Sequence, residues 1–222
     1  MYLDSRLSAV ADLVREGSRF ADVGTDHAYL PTYLLLNQKI EYAYCSDLRV
    51  GPLKNAEETV KKYGLLDKVT LRLSDGLKGY KAGEVNEIAV AGMGGKLIAE
   101  FIDNTPWLKT QDMHLILQPM THSEDTRMAL YRNGFYIDKE VAVKDGDKLY
   151  IVISVFYSGE CKELSNASAV IGKLNQNTDE ISKEYLQSLL KKYSIKLEAL
   201  KNANKDFADV ENITRELTKC LQ

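Results

Sequence analysis

The segment Asp22-Val23-Gly24-Thr25-Asp26-His27 is where this chain concentrates groups that can do chemistry. A glycine that closes an apolar run lets the backbone turn sharply under a ligand, and the amides of a following helix can meet an anion. Two further carboxylates end apolar runs: Asp47 in Ser46-Asp47-Leu48, 23 residues after Gly24, and Asp75 in Ser74-Asp75-Gly76-Leu77. Asp47 stands at the usual reach for accepting hydrogen bonds from both hydroxyls of a ribose. Asp75 can accept from an exocyclic amine of adenine while Leu77 packs on the ring. A fourth run ends Ala91-Gly92-Met93-Gly94-Gly95, whose glycines suit a ligand lying flat against the backbone. Any one of these acids alone reads as a cap or turn residue, but three at successive strand ends converge on one crevice.

For those residues to meet, the chain must bring its apolar runs side by side. Five of them, RFADVG, EYAYCSD, KVTLRLSDG, NEIAVAGMGG and MHLILQP, alternate with helical stretches, which implies βαβ units and a parallel sheet. Gly51-Pro52 puts proline in a first turn, after which Leu53, Ala56 and Val60 share one helix face; another helix starts near His27 and runs through Leu36. Ahead of the first run, Leu3, Leu7, Val10 and Val14 recur at steps of three and four until Gly17, predicting an amphipathic helix over one edge of the sheet. Beyond a helix around 124–133, FYIDKEVAVK and KLYIVISVFYS flank the tight-turn signal Asp145-Gly146-Asp147, so an antiparallel hairpin is expected to end the sheet. Five alternating units and a hairpin make an α/β, Rossmann-like seven-stranded sheet of the methyltransferase type. Dinucleotide dehydrogenases more often continue with a second parallel half.

Past Gly159 the chain turns polar, which places a domain boundary near residue 160: a Rossmann-like domain over 1–160 and a small C-terminal helical domain over 161–222. Leu186, Leu190, Tyr193, Leu197 and Leu200 step by four and three, a coiled-coil-like spacing. Asn202 to Asp206 reads as a break before a second stripe, Val210, Ile213 and Leu217, and an antiparallel helical hairpin follows; one long helix is the alternative.

The loop after the first strand discriminates between cofactors. A dinucleotide fingerprint wants G-x-G-x-x-G so that a pyrophosphate can approach the backbone, whereas this chain reads Gly24-Thr25-Asp26-His27-Ala28-Tyr29. An aspartate would repel a pyrophosphate and attract the amino group of a methionine moiety. The reading is S-adenosylmethionine rather than NAD. Enzymes that methylate exocyclic amines commonly carry Asp/Asn-Pro-Pro-aromatic after the fourth strand, and Ala91 to Gly94 contain none of those side chains. The N1 atom of adenine has an in-plane lone pair, unprotonated at neutral pH, so positioning and desolvation supply most of the catalysis there. Asp26, His27 and Tyr29 are the candidates for touching the base or its developing charge, and Gln118-Pro119 lines the same pocket.

Composition narrows the class. The 222 residues, 45% of them hydrophobic, can bury a sizeable core, and a formal charge of -3 advertises no global field for a polyanion. Cys45, Cys161 and Cys220 are spaced too widely for a zinc or redox pair, and His114 and His122 lack partners at metal spacing, so no metal is expected. Neither a signal-peptide pattern nor a run of roughly 20 apolar residues is present, and the expectation is a cytoplasmic protein without membrane attachment.

The set DVGTDHAYLP, SDLRVGPLKNA, SDGL, IAVAGMGG and LILQPM resembles the bacterial TrmK family, tRNA (adenine-N1)-methyltransferases that act on the D-loop region; the resemblance spans residue 1 to about 160. It implies a Rossmann-like catalytic domain, a C-terminal coiled-coil-like domain that assists tRNA binding, and S-adenosylmethionine as methyl donor. Carried over by motif, Asp22, Gly24, His27, Asp47, Asp75, Gly76, Gly92 and Met93 form the cofactor pocket, which the bottom-up reading extends to Thr25, Leu48, Leu77 and Ala91. Adenine then enters beside Tyr29 and the glycines of 92–95. Met120 departs from the family, whose members carry Asn after the Gln-Pro pair.

Transfer RNA is the expected partner of a monomeric enzyme. Its phosphates would need local basic patches, for which Arg6, Arg15 and Arg19 or Lys191, Lys192 and Lys196 are the candidates. From Glu160 to Gln222 ten basic residues balance ten acidic ones, which also suits a merely solvated face. The competing readings are a methyltransferase for a small molecule or another RNA, a nicotinamide-dependent oxidoreductase and a non-catalytic RNA-binding module.

Overall fold

In the computed structural model, which describes residues 1–222, seven strands form one sheet in the order β3-β2-β1-β4-β5-β7-β6. The strands are β1 (Phe20–Val23), β2 (Ala43–Asp47), β3 (Val69–Leu73), β4 (Glu87–Gly94), β5 (His114–Thr121), β6 (Phe135–Asp145) and β7 (Lys148–Tyr157). The first five run parallel, and β7 lies antiparallel between β5 and β6. The expected parallel sheet with a terminal hairpin is therefore present. Its central strands are mostly apolar and buried because both faces are covered, as a parallel sheet requires, with Asp22, Glu87, His114 and Gln118 the polar exceptions.

Helices α1 (Ser5–Leu13), α2 (Tyr29–Leu36), α3 (Val50–Lys62), α4 (Gly95–Asn104) and α5 (Ser123–Arg132) cover the sheet. Helix α1 departs from expectation. It lies across the face of β4, β5, β7 and β6 rather than on an edge, because Val10, Ala11 and Val14 join a core with Ile116, Val143 and Val152. Beyond its carboxyl end Arg15 binds the Glu87 carboxylate at the start of β4 (Nε to Oε2, 2.6 Å), while Arg6 near its amino end reaches Gln118 near the end of β5. The helix thus straps the sheet from end to end. It also separates Arg15 and Arg6, so the arginines do not make the single basic patch considered from sequence.

The register of the hairpin decides what overhangs the carboxyl ends of the parallel strands. Leu117 of β5 pairs with Ile153 of β7, the last pairing of the two. The remaining residues of β7, Lys148 to Val152, continue past it, and the turn at Gly146 returns to β6 above the strand ends.

The tail forms α6 (Asn166–Ile171), α7 (Glu180–Asn202) and α8 (Ala208–Cys220). The break between α7 and α8 covers residues 203–207, one residue beyond the Asn202 to Asp206 stretch expected. Helix α6 was not anticipated; it sits in the polar stretch, capped by Ser165, whose hydroxyl accepts from the Ser168 amide. Helix α7 packs on β6, α8 on α7 and α6, and α6 on α5, so that Val170, Leu186, Tyr193, Ile213 and Leu217 share one core with Leu130, Ile137 and Val155. No helix is long and apolar enough to cross a membrane.

Candidate active site

A cavity of about 540 Å³ opens at the carboxyl ends of β1, β2 and β4, on the crevice where strand order reverses. Its wall brings together Asp22, Gly24, Thr25, Asp26, His27, Tyr29, Asp47, Ala91 and Gly92 from the sequence reading. It also includes Asp4, Arg6, Arg49, Met120, Asp145 and Tyr150, which that reading had not assigned to the pocket.

Backbone geometry shapes the floor. Gly24 has φ +83° and Gly92 φ +80°, conformations that a side chain strains. A Cβ on Gly24 would collide with the Met93 methyl, so Met93 packs directly on the β1 loop. The Gly24 and Thr25 amides donate to the Ser46 carbonyl at 2.7 and 2.9 Å. These two amides are therefore committed to β2, and the cationic group lining the cavity beside Gly92 is Arg6.

Arg6 and the Gly92 amide both donate to Gln118 Oε1 at 2.9 Å, while Gln118 Nε2 donates to the Pro119 carbonyl at 3.2 Å. This buried amide fixes the glycine loop to α1 and β5. Sequence reading placed Gln118 in the pocket but gave no reason for Arg6. The available signal was a lone arginine beside the apolar stripe of an otherwise ordinary helix.

Asp22 is buried near the end of β1, where it still borders the cavity. Burial pushes its carboxyl up to about 6, against a hydrogen bond from the Thr25 hydroxyl that lowers it. Burial and the neighbouring Asp22 charge also hold the Cys45 thiol well above its ordinary range, so Cys45 is an inert core residue. Asp47 Oδ1 accepts from the Arg49 amide at 2.8 Å, which orients the carboxylate and leaves lone pairs for a ligand. At the mouth the His27 and Tyr29 rings stack at 4.9 Å with an interplanar angle of 7°, and Asp26 Oδ2 lies 3.6 Å from His27 Nε2.

Five predicted cofactor residues do not line this cavity. Leu48 is largely exposed, Leu77 is buried in the core, and Asp75 pairs with Lys78 at 2.5 Å. Gly76 packs beneath the Phe101 ring, and Met93 contacts the wall from behind Gly24. The Ser74 amide donates to the Asp47 carbonyl at 2.9 Å, so the Asp75 turn adjoins the cavity through β2.

At the opposite end of the strands His114 Nδ1 meets Glu87 Oε1 at 2.7 Å and its Nε2 meets Ser154 Oγ at 2.8 Å. The array mimics a hydrolytic triad in spacing. All three side chains are buried and the imidazole stacks on Phe156 at 4.3 Å, so it serves as a satisfied core network that anchors Arg15. No group of three or more His, Cys, Asp or Glu side chains is placed to hold a metal ion.

Comparison with known proteins agrees with this geometry. The family model described as "Methyltransferase domain" matches residues 3–153. The tRNA (adenine(22)-N(1))-methyltransferase of Bacillus subtilis is 38% identical over 151 residues, covering 68% of this chain and 63% of that protein. The crystal structure of B. subtilis TrmK superposes with a TM-score of 0.82 at 30% identity, covering 99% of this chain and 96% of that one. TrmK of M. capricolum, in complex with S-adenosyl-homocysteine, superposes with a TM-score of 0.83 at 26% identity, covering 100% and 98%. The chain belongs to the methyltransferase-domain family, and within it to the TrmK methyltransferases.

Proposed function

We propose that this chain transfers the methyl group of S-adenosylmethionine to N1 of an adenine in tRNA, at position 22 by likeness to the B. subtilis relative. The observation that carries the cofactor is the charge of the cavity: Asp4, Asp22, Asp26, Asp47 and Asp145 face only Arg6 and Arg49. Such a wall attracts a sulfonium and an ammonium and repels a pyrophosphate.

The residues fit that cofactor part by part. Asp47 would take the ribose hydroxyls, and the Asp75 turn, which adjoins the cavity through β2 without lining it, would take the adenine end. Arg6 is the cation beside Gly92 for the methionine carboxylate. Asp22 and Asp26 supply negative charge for the ammonium. Bound there, S-adenosylmethionine presents a methyl group activated by its sulfonium.

The protein's task is then to hold an adenine with its N1 lone pair in line with that methyl and to exclude water. The His27-Tyr29 stack gives the base a flat platform, and Gly92 lets it approach the backbone. As the N1–C bond forms, the S–C bond breaks and the positive charge moves from sulfur to the adenine ring. No proton has to leave in that step. Asp26 and the other carboxylates offset the cation that forms, so the site needs no general base.

The test is incubation with labelled S-adenosylmethionine and unmodified tRNA, digestion to nucleosides, and mass spectrometry. Labelled 1-methyladenosine is expected. A different methylated nucleoside overturns the target, and cofactor binding without transfer to tRNA favours a small-molecule substrate.

A further inference from the structure

Met120 and Tyr150 are shared by two clefts. Both line the cavity described above, and both also line a second cleft of about 300 Å³ whose far wall is α7, through Tyr185, Leu189 and Lys192. The sheet register explains the coincidence. Leu117 and Ile153 are the last pair of β5 and β7, and Met120 and Tyr150 each lie three residues beyond that pair on their own strands. They stand as a partition between the clefts, and Met120 is 42% exposed at its crest.

The walls of the second cleft have the chemistry of a base-stacking site. Tyr150 and Tyr185 offer ring faces and edges, Pro119 and Leu189 apolar surface, and the exposed Lys192 an ammonium at the rim. The Tyr185 ring is half-buried and packs against the core shared by the sheet and the tail. Glu124, the acid in this lining, lies 3.6 Å from His122 Nδ1 and is turned to that imidazole. An adenine that enters the first cavity must leave the stack of its neighbours, and enzymes that act on bases read the flanking nucleotides as they extrude the target. Methionine is among the apolar side chains inserted between bases to unstack them.

We propose that Met120, backed by Tyr150, is the wedge that parts the target adenine from an adjoining base, and that the second cleft receives that neighbouring nucleotide. Its base stacks on Tyr150 and Tyr185 and its phosphate meets Lys192. The inference rests on the RNA-methylating reading above and adds a second nucleotide subsite to it. Specificity for sequence context then resides at the junction of β5, β7 and α7, away from the cofactor loop.

The experiment compares initial rates on three transcripts of the same tRNA: the parent, one abasic at the nucleotide 5′ to the target adenine, and one abasic at the 3′ nucleotide. One of the two abasic transcripts is expected to raise KM roughly 5- to 150-fold with kcat nearly unchanged, the range set by one stacked base. M120A, an exposed substitution that leaves the melting temperature in place, is expected to lower kcat/KM about tenfold on the parent. That loss is expected to vanish on a transcript abasic on both sides, where the adenine is already unstacked. Parent-like KM on both abasic transcripts, or M120A kinetics equal to wild type, overturns the subsite and leaves the methylation reading intact. A parent transcript that yields no 1-methyladenosine, with S-adenosylmethionine bound, overturns both.

Discussion

Arg127 Nε lies 2.7 Å from Glu140 Oε1 with both side chains fully buried, and the pair is the joint between sheet and tail. Arg127 Nη1 also donates to the carbonyls of Ala169 and Val170, and Glu140 Oε2 accepts from the Lys173 amide at 2.8 Å. A buried pair gains little over an apolar pair, but removing one partner strands the other charge. R127A is therefore expected to lower unfolding free energy by about 3–5 kcal/mol. Urea denaturation checks this, and an unchanged midpoint contradicts it.

Asp22 links folding to pH. Its carboxyl sits at about 6 in the folded chain against an ordinary value of 3.8. Between those values the folded state holds a proton that the unfolded state has lost, so stability falls as pH rises from about 4 to 6, by about 3 kcal/mol. D22N is expected to flatten that part of the stability profile and to raise the melting temperature at pH 7.5. A cationic ligand favours the ionised form, so wild-type affinity for S-adenosylmethionine is expected to weaken below pH 6, and D22N to lose that dependence. Titration calorimetry at pH 5.5 and 7.5 decides both points.

Gly24 and Gly17 separate two costs of a side chain. Both have positive φ, +83° and +68°, but only at Gly24 would a Cβ meet another atom, the Met93 methyl. G17A is expected to lose about 1 kcal/mol of stability from backbone strain alone and to bind cofactor normally. G24A adds displacement of Met93 into the site, and a rise of at least tenfold in cofactor Kd is expected. Equal affinity in the two variants removes Met93 from the account.

Asp47 is held by the Arg49 amide, which an asparagine oxygen can also accept. D47N is thus expected to fold normally and to weaken S-adenosylmethionine binding by about 10- to 100-fold through loss of charge-assisted bonds to the ribose. Unchanged calorimetric affinity would place the ribose elsewhere.

The five parallel strands and the closing hairpin were readable because most of the apolar runs end in Gly or Asp and a tight-turn signal splits the last two, and the β1 loop was readable because its residues are contiguous. What sequence could not place came from tertiary packing. Arg6 enters the site because α1 crosses the sheet face, and Asp145 because the hairpin is longer than β5 needs. Asp145 read simply as a turn residue, since nothing local says which end of the molecule a turn overhangs. Leu77 read as a face for adenine and instead fills the core, as strand-end periodicity does not tell which side a short turn presents. The tail read as a separate helical unit by its polar connector, yet its stripes complete a core begun by β5 and β6.

The insertion of β7 between β5 and β6 has a consequence for synthesis on the ribosome. Strand β6 is made first but has no partner until β7 follows, so β5 keeps an open edge with the run Leu115-Ile116-Leu117 while some forty residues are added. Nascent chains arrested before residue 148 should therefore self-associate or recruit chaperones, and chains that expose residue 157 should not; the hairpin acts as the closure that ends the chain's sticky period.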